Sequence, residues 1–583
     1  MGLALRQKVL PTRVGISNKG RAALGMSESD NPHLVAIRPH LNDVPSVAIG
    51  GVQRYILFFS FTDGTHRAKV ITSTGASVDE AWQTGTRQVM DSGVPVHWLR
   101  VDWVDTVNEY TWSRLSDRLK DVKRNYTRRG ISLDANFGHA FLETELNANA
   151  MLYGDGRTVH AVINEVNFRR YARERHGLSN VEFNDHDKVW LFTTKGIFVD
   201  ADHDVAFLSQ GGLNTGRRHV EELTPELLTT VIDSGSRYLA SQVLEDGRFI
   251  YGWHPCFDLR INGYNSLRHA SSVYAMLEAW EVTRDSELDA AIRQSLSYLV
   301  EELIRLVTIP AGDEVAFVVD PVGETPTAEI KLGANAVAIL ALVKYMELHD
   351  DQQYLEVAEK LALGIICMQH PDTGVFVHVL NYPELTLKSA QRIIYYDGEA
   401  AFALMRLYGL TRNKHWLSAV EKAFESFIAR EHWRAHDHWL SYCVNELTLH
   451  RPNKRYFQFG IQNFKDYLKF IGTRITTFPT LLELTMAATK MIERIGDDRK
   501  YSHLLDEVDL PAFYAARDYR ARYLLNGYFW PELAMYYENP AKIVGSFFIR
   551  HHSFRIRIDD VEHYLSGLIA YRDLLLGGER SEA

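Results

Sequence analysis

Hydrophobic and polar positions change character along the chain at about residue 220. Upstream, "VAIGGVQRYILFFSFTDGTHRAKVITST" from Val47 holds two apolar runs joined by Asp63-Gly64, the signature of a β-hairpin. "SVDEAWQTGTRQVMDSG" has a helical period, and "VHWLRVDWVDTV" returns to a strand. Helical segments around "AFLETELNANAMLY" and "VINEVNFRRYARERHG" lead to a second hairpin, "KVWLFTTKGIFVDADHDVAFL". Residues 1–45 carry no strong period and read as an extended arm, and residues 46–215 as an α+β domain.

Downstream, two kinds of helix alternate. "TPELLTTVIDSGSRYLASQVL", "SELDAAIRQSLSYLVEELI", "QQYLEVAEKLALGIICMQ" and "KHWLSAVEKAFESFIARE" each carry a charged face. "LRHASSVYAMLEAW", "LGANAVAILALVKYM", "GEAAFALMRLYGL", "FPTLLELTMAATKMI" and "VEHYLSGLIAYRDLL" are apolar nearly all round, as helices buried on every side must be. Short Phe- or Trp-bearing β-like segments separate them: "EDGRFIYGW", "GDEVAFVV", "DTGVFVHVL", "HDHWLSY" and "VGSFFIR". His269 and Asn335 are 66 residues apart, and Asn335 and Glu399 are 64 apart, which is an internal repeat. The pattern predicts a multidomain α+β chain in which residues 220–578 form an α/α toroid of five clear helical hairpins. A sixth hairpin is either absent or supplied by the helices near residues 137–175.

Two rings, polar outside and apolar inside, resemble the six-hairpin class that includes N-acylglucosamine 2-epimerases and unsaturated glucuronyl hydrolases. The resemblance covers roughly residues 220–575 and is one of architecture, without a catalytic motif of any one family. It implies a carbohydrate-active enzyme, a glycoside hydrolase or a sugar epimerase or isomerase. In such a toroid the loops entering the inner helices converge at one mouth. Those junctions supply Tyr264, Arg268 and His269; Lys331 and Asn335; Tyr396, Asp397 and Glu399; Arg474; and Arg557, Asp560 and His563. Hydrolysis needs an acid and a carboxylate across the bond, for which Asp397 and Asp560 are the pair. Epimerisation needs a base and an acid beside a carbonyl, for which His269 and His563, or a tyrosine, serve. The remaining eight bind substrate, and Arg268, Lys331, Arg474 and Arg557 point to an acidic, uronic or phosphorylated sugar or glycan. A plainer reading competes at each position, since Asp397 would also serve as a helix N-cap.

Composition narrows the partners. Hydrophobic residues make up 46% and charged residues 24%, so the chain can fold a core. A net charge of −10 argues against a nucleic-acid binder. Cys256, Cys367 and Cys443 are scattered without CxxC spacing, which suits a reducing compartment and gives no zinc signature. The histidines of "RHHSFRIRIDDVEH" and of the loop "REHWRAHDHW" match no metal-ligand pattern, and no metal is expected. No GxGxxG or Walker loop is present, so no cofactor is expected either. No apolar run reaches about 18 residues, so no membrane span is expected, and the N-terminus does not read as a leader. These features point to the cytoplasm, hence to polysaccharide metabolism or biosynthesis rather than digestion. The alternative is a non-catalytic helical scaffold that grips a protein or peptide in its concave mouth. A closed pocket or an open groove would separate the two.

Overall fold

In the computed structural model, which describes residues 31–309, 312–321 and 328–582, the chain from Pro225 onward closes into a double ring of helices. The inner ring is Ser266–Thr283, Leu332–His349, Tyr395–Thr411, His438–His450, Thr480–Asp497 and Ile558–Glu582. Each inner helix packs on the next, and the sixth returns to pack on the first. The outer ring is Pro225–Ser241, Ser286–Tyr298, Leu355–Cys367, Lys414–Ala429, Lys454–Gln462 and Leu510–Leu524. Burial follows the sequence pattern. Residues 332–343 of the second inner helix are all buried. The fourth outer helix turns Trp416, Val420, Ala423, Phe424 and Phe427 inward at helical spacing.

The sixth hairpin lies within the ring itself and owes nothing to residues 137–175, which remain in the N-terminal region. Its inner helix is His438–His450, whose first residues had read as the β-like segment "HDHWLSY". Asp437 starts it: its carboxylate accepts from the Trp439 and Leu440 amides, both at 3.1 Å. The polar run His436-Asp437-His438 hides the beginning of an otherwise apolar helix, and the outer helix that follows it is short.

The N-terminal region is built on an eight-stranded antiparallel sheet. Strands Val52–Thr62 and Lys69–Gly75 form the expected hairpin, with Phe59 opposite Ile71. Side chains alternate across the first strand. Leu57, Phe59 and Phe61 pack with Trp82 of the helix Val78–Asp91. Ile56 and Phe58 face the other way, into a core continuous with that of the toroid. Both faces are covered, which is why "YILFFSF" lacks alternation. Residues 32–41, expected to be extended, instead form the helical turns Pro32–Ile37 and Arg38–Leu41. Asn31 caps the first, and Leu34, Ile37 and Leu41 are buried on the sheet. The rest of that arm, residues 1–30, lies outside the described residues.

The sheet and the toroid are joined by polar contacts as well as apolar ones. Residues 525–557, between the last outer and last inner helix, meet the sheet. The Tyr536 hydroxyl donates to Ser60 Oγ at 2.8 Å, and the Ala68 amide to the Met535 carbonyl at 2.7 Å. Glu532, fully buried, accepts from the Arg218 amide at 2.7 Å and from its guanidinium at 2.9 Å. Arg100, paired with Asp102 at 2.8 Å, donates to the Glu532 carbonyl at 3.0 Å.

Candidate active site

The entry ends of the inner helices surround an axial cavity of about 310 Å³. The first helix contributes Arg268 and Ser271, and the third Tyr395, Tyr396 and Glu399. His438 and Trp439 come from the fourth, and Phe478, Pro479 and Thr480 from the entry to the fifth. Arg557 comes from the strand leading into the sixth, and Asp559, Asp560, Glu562 and His563 from the sixth itself. The second helix contributes room. A Cβ on Gly333 would stand 1.9 Å from Glu399 Oε2 and 2.6 Å from Tyr396 Cδ1.

Charge at the axis is organised into pairs. Arg268 Nε lies 2.8 Å from Asp559, and its guanidinium also meets the Tyr251 hydroxyl. Arg557 lies 3.0 Å from Asp559 and 3.2 Å from Asp560, and Asp560 is held from its other side by Arg555 at 3.1 Å. His563 Nδ1 is 2.9 Å from Glu483 and 3.3 Å from Glu562. Burial alone would lower the His563 pKa, but Glu562 and Glu483 overcome it and raise it to about 10. Glu399 is pushed up to about 8, first by burial and then by Asp437 and Asp397, so it is mostly a neutral acid at pH 7. Burial also lifts Asp559 and Glu562 above the usual carboxylate range.

His438 stands apart from these pairs. Its Nδ1 lies 3.2 Å from Asp437, which orients the ring, and its Nε2 is buried with no hydrogen-bond partner among the described residues. A proton on Nδ1 leaves the Nε2 lone pair as the basic atom. The His438 and His563 ring centroids are 5.2 Å apart and the planes nearly perpendicular. Ligand atoms of His438, Glu483 and His563 lie within 4.8 Å of one another, so these three are the residues that could hold a divalent metal.

The expected site residues divide in two. Arg268, Tyr396, Glu399, Arg557, Asp560 and His563 line the cavity together. Tyr264, His269, Lys331, Asn335, Asp397 and Arg474 do not. His269 is fully buried toward the outer ring: its Nε2 donates to the Ser295 carbonyl at 2.8 Å and its Nδ1 accepts from the Tyr264 hydroxyl at 2.7 Å. Both nitrogens are used, and burial lowers the pKa to about 4. Asn335 has the same role in the next repeat, accepting from the Val318 amide at 2.8 Å and donating to the Lys331 carbonyl at 2.7 Å. In the first two repeats this position ties the inner helix to what surrounds it, whereas in the third it is Glu399, which lines the cavity. Asp397 is neither axial nor an N-cap. It lies in the first helical turn and accepts from His378 Nε2 at 3.3 Å, the other nitrogen of His378 accepting from the Arg392 amide at 2.9 Å. Lys331 is neutralised by Asp320 at 2.6 Å and Glu329 at 3.4 Å. Arg474 binds Thr476 and stacks between Phe470 and Phe478, at 4.8 and 5.0 Å.

Sequence reasoning missed His438, Glu483 and Glu562. His438 was hidden in the polar start of its helix. The other two had a usable signal: "LLELTM" and "DDVEHYL" each set one glutamate in an apolar inner helix, where an acid is costly without a role.

No family model matches the chain, and no curated protein matches it. Among solved structures, the chain is similar to a D-mannose isomerase at 12% identity and a TM-score of 0.43, with 62% of this chain and 100% of that chain covered. A cellobiose 2-epimerase from Bacillus thermoamylovorans matches at 10% identity and a TM-score of 0.45, covering 60% and 99%. An unsaturated glucuronyl hydrolase from Streptococcus agalactiae matches at 11% and 0.42, covering 63% and 98%. The toroid assignment stands on the closed ring of helices in this chain.

Proposed function

We propose that the axial cavity is the active site of a carbohydrate-active enzyme that moves a proton on an open-chain sugar, as an isomerase or epimerase. The observation that carries this reading is the free, buried Nε2 of His438 beside groups held in the acid form. His438 takes the proton from the carbon next to the carbonyl. The C–H electron pair forms the C=C bond of an enediol as the carbonyl oxygen takes a proton from His563 or Glu399. Returning the proton to the former carbonyl carbon, while the hydroxyl on the first carbon gives its proton to the acid that was just deprotonated, yields the ketose. Returning it to the opposite face of the first carbon, while the former carbonyl oxygen gives its proton back and the C=O re-forms, yields the epimer. Trp439, Tyr395 and Tyr396 offer flat surfaces to a sugar.

Two expectations shift. The hydrolytic pair Asp397 and Asp560 is not supported, because Asp397 faces His378. An acidic substrate is disfavoured against a neutral sugar, because Arg268 and Arg557 already face Asp559 and Asp560. A partly open axial pocket of about 310 Å³, lined from five of the six inner-helix entries, supports a small molecule over the peptide-gripping scaffold.

Incubating the protein in D2O with neutral aldoses, ketoses and uronic acids, and following C2 by proton NMR, tests the reading. Deuterium should enter at C2 of a neutral sugar, and His438→Gln should slow it by about 100- to 10,000-fold. Release of reducing ends from a glycan with no C2 exchange would assign hydrolysis instead. EDTA should leave exchange intact; loss restored by Zn²⁺ would give the His438–Glu483–His563 cluster to a metal.

A further inference from the structure

A larger cavity, of about 670 Å³, lies in the N-terminal region and shares no lining residue with the axial one. It is bounded by the paired strands Trp98–Thr111 and Lys188–Val199, the helix Trp112–Leu119 and the segment 122–131. Leu115, Leu119, Ile131 and Leu191 supply apolar surface, and Arg118, Arg128 and Arg129 supply positive charge.

The charge is lopsided. Asp105 is the single carboxylate among the described lining residues, and Lys195 holds it at 2.9 Å. Arg118 and Arg129 form no ion pair among the described residues. Arg128 donates to the carbonyls of Leu213 at 2.5 Å and Thr215 at 2.8 Å, with Glu143 at 3.7 Å. Its Nε and the neighbouring Thr127 Oγ1 are buried without a hydrogen-bond partner among the described residues. Unsatisfied donors in a cationic, partly apolar cavity are a standing cost that a bound anion would remove. Burial, with Arg550 nearby, pulls the Arg128 pKa down to about 10, the direction expected of an under-compensated cation.

We propose that this cavity is a second binding site, for an organic anion with an apolar body. Its carboxylate, sulfonate or phosphate lies toward Arg128 and Arg129, and its body against Leu115, Leu119 and Leu191.

The test uses the full chain and two probes of nearly the same shape, 8-anilinonaphthalene-1-sulfonate and the uncharged N-phenyl-1-naphthylamine. The sulfonate should bind one equivalent saturably, at least tenfold tighter than the neutral probe. The double variant Arg118→Ala/Arg129→Ala should weaken it at least tenfold. Neither side chain makes an ion pair among the described residues, Arg118 gives up an exposed hydrogen bond to the Tyr110 hydroxyl, and circular dichroism should be unchanged. His563→Ala should leave binding as it was. Equal affinity for the two probes, an unaffected double variant, or loss of signal in His563→Ala, which would put the probe in the axial cavity, each overturns the proposal.

Discussion

His269 and His438 show how a residue's surroundings divide identical side chains between the packed scaffold and the axial cavity. His269→Ala removes one of two partners from the Ser295 carbonyl and from the Tyr264 hydroxyl, which keep the Leu299 and Phe249 amides. It also empties a buried ring's space, so it should cost about 3 kcal/mol in urea unfolding. His438→Gln should lower turnover with a melting temperature close to wild type. The reverse outcome would return the base to His269. pH separates them too. His269 is neutral when folded, with its pKa near 4, but has its ordinary 6.5 when unfolded. The stability it contributes is intact above pH 6.5 and is lost as pH falls from there toward 4. Turnover has its own limit on the alkaline side. With His563 as the donor, activity should hold until about pH 10; with Glu399 as the donor, it should decline as pH rises through about 8. A Glu399→Gln variant whose pH–rate profile keeps that decline would show that another group sets it. His269 sits beside Arg268 in the sequence, and that adjacency suggested a shared mouth. Neighbours on a helix point about 100° apart, so Arg268 reaches the axis and His269 turns to the outer ring.

The helices were the most legible level. Five of the six inner helices announced themselves by having no polar face, and the outer four that bear a charged stripe were equally plain. What failed was the fourth inner helix, where Asp437 and His438 are polar for reasons of capping and chemistry rather than exposure. The pairing of helices also fixes a position invisible to periodicity. Gly333 lets the second inner helix approach the third, and an added methyl collides first with the flexible end of Glu399. Because the methyl also meets Tyr396 Cδ1 at 2.6 Å and Leu267 Cδ1 at 2.9 Å, Gly333→Ala should lose about 1–3 kcal/mol of stability as well as displace the Glu399 carboxyl and lower turnover at least tenfold. Normal turnover with a normal pH profile in this variant would mean that Glu399 is a bystander.

At the scale of the molecule, the sheet and the toroid share one apolar core, a relation no local pattern reports because its two halves are hundreds of residues apart. Glu532 concentrates that union: buried completely, it holds Arg218 and lies next to the carbonyl that Arg100 binds. Removing its charge with Glu532→Ala strands Arg218, and about 3–5 kcal/mol should be lost. Calorimetry should still record one transition, because sheet and toroid unfold together; two separated transitions would mean that each is stable alone. The closed ring carries a further consequence for the chain as it leaves the ribosome. Five inner helices can emerge and stack in order, but the first keeps an open flank until the sixth arrives. That last helix brings Asp559, Asp560, Glu562 and His563, so the nascent chain closes its ring and acquires the charged wall of the axial cavity in the same step. Until then it is an unsealed arc, and under the proposed function a chain released before Ile558 should have no activity.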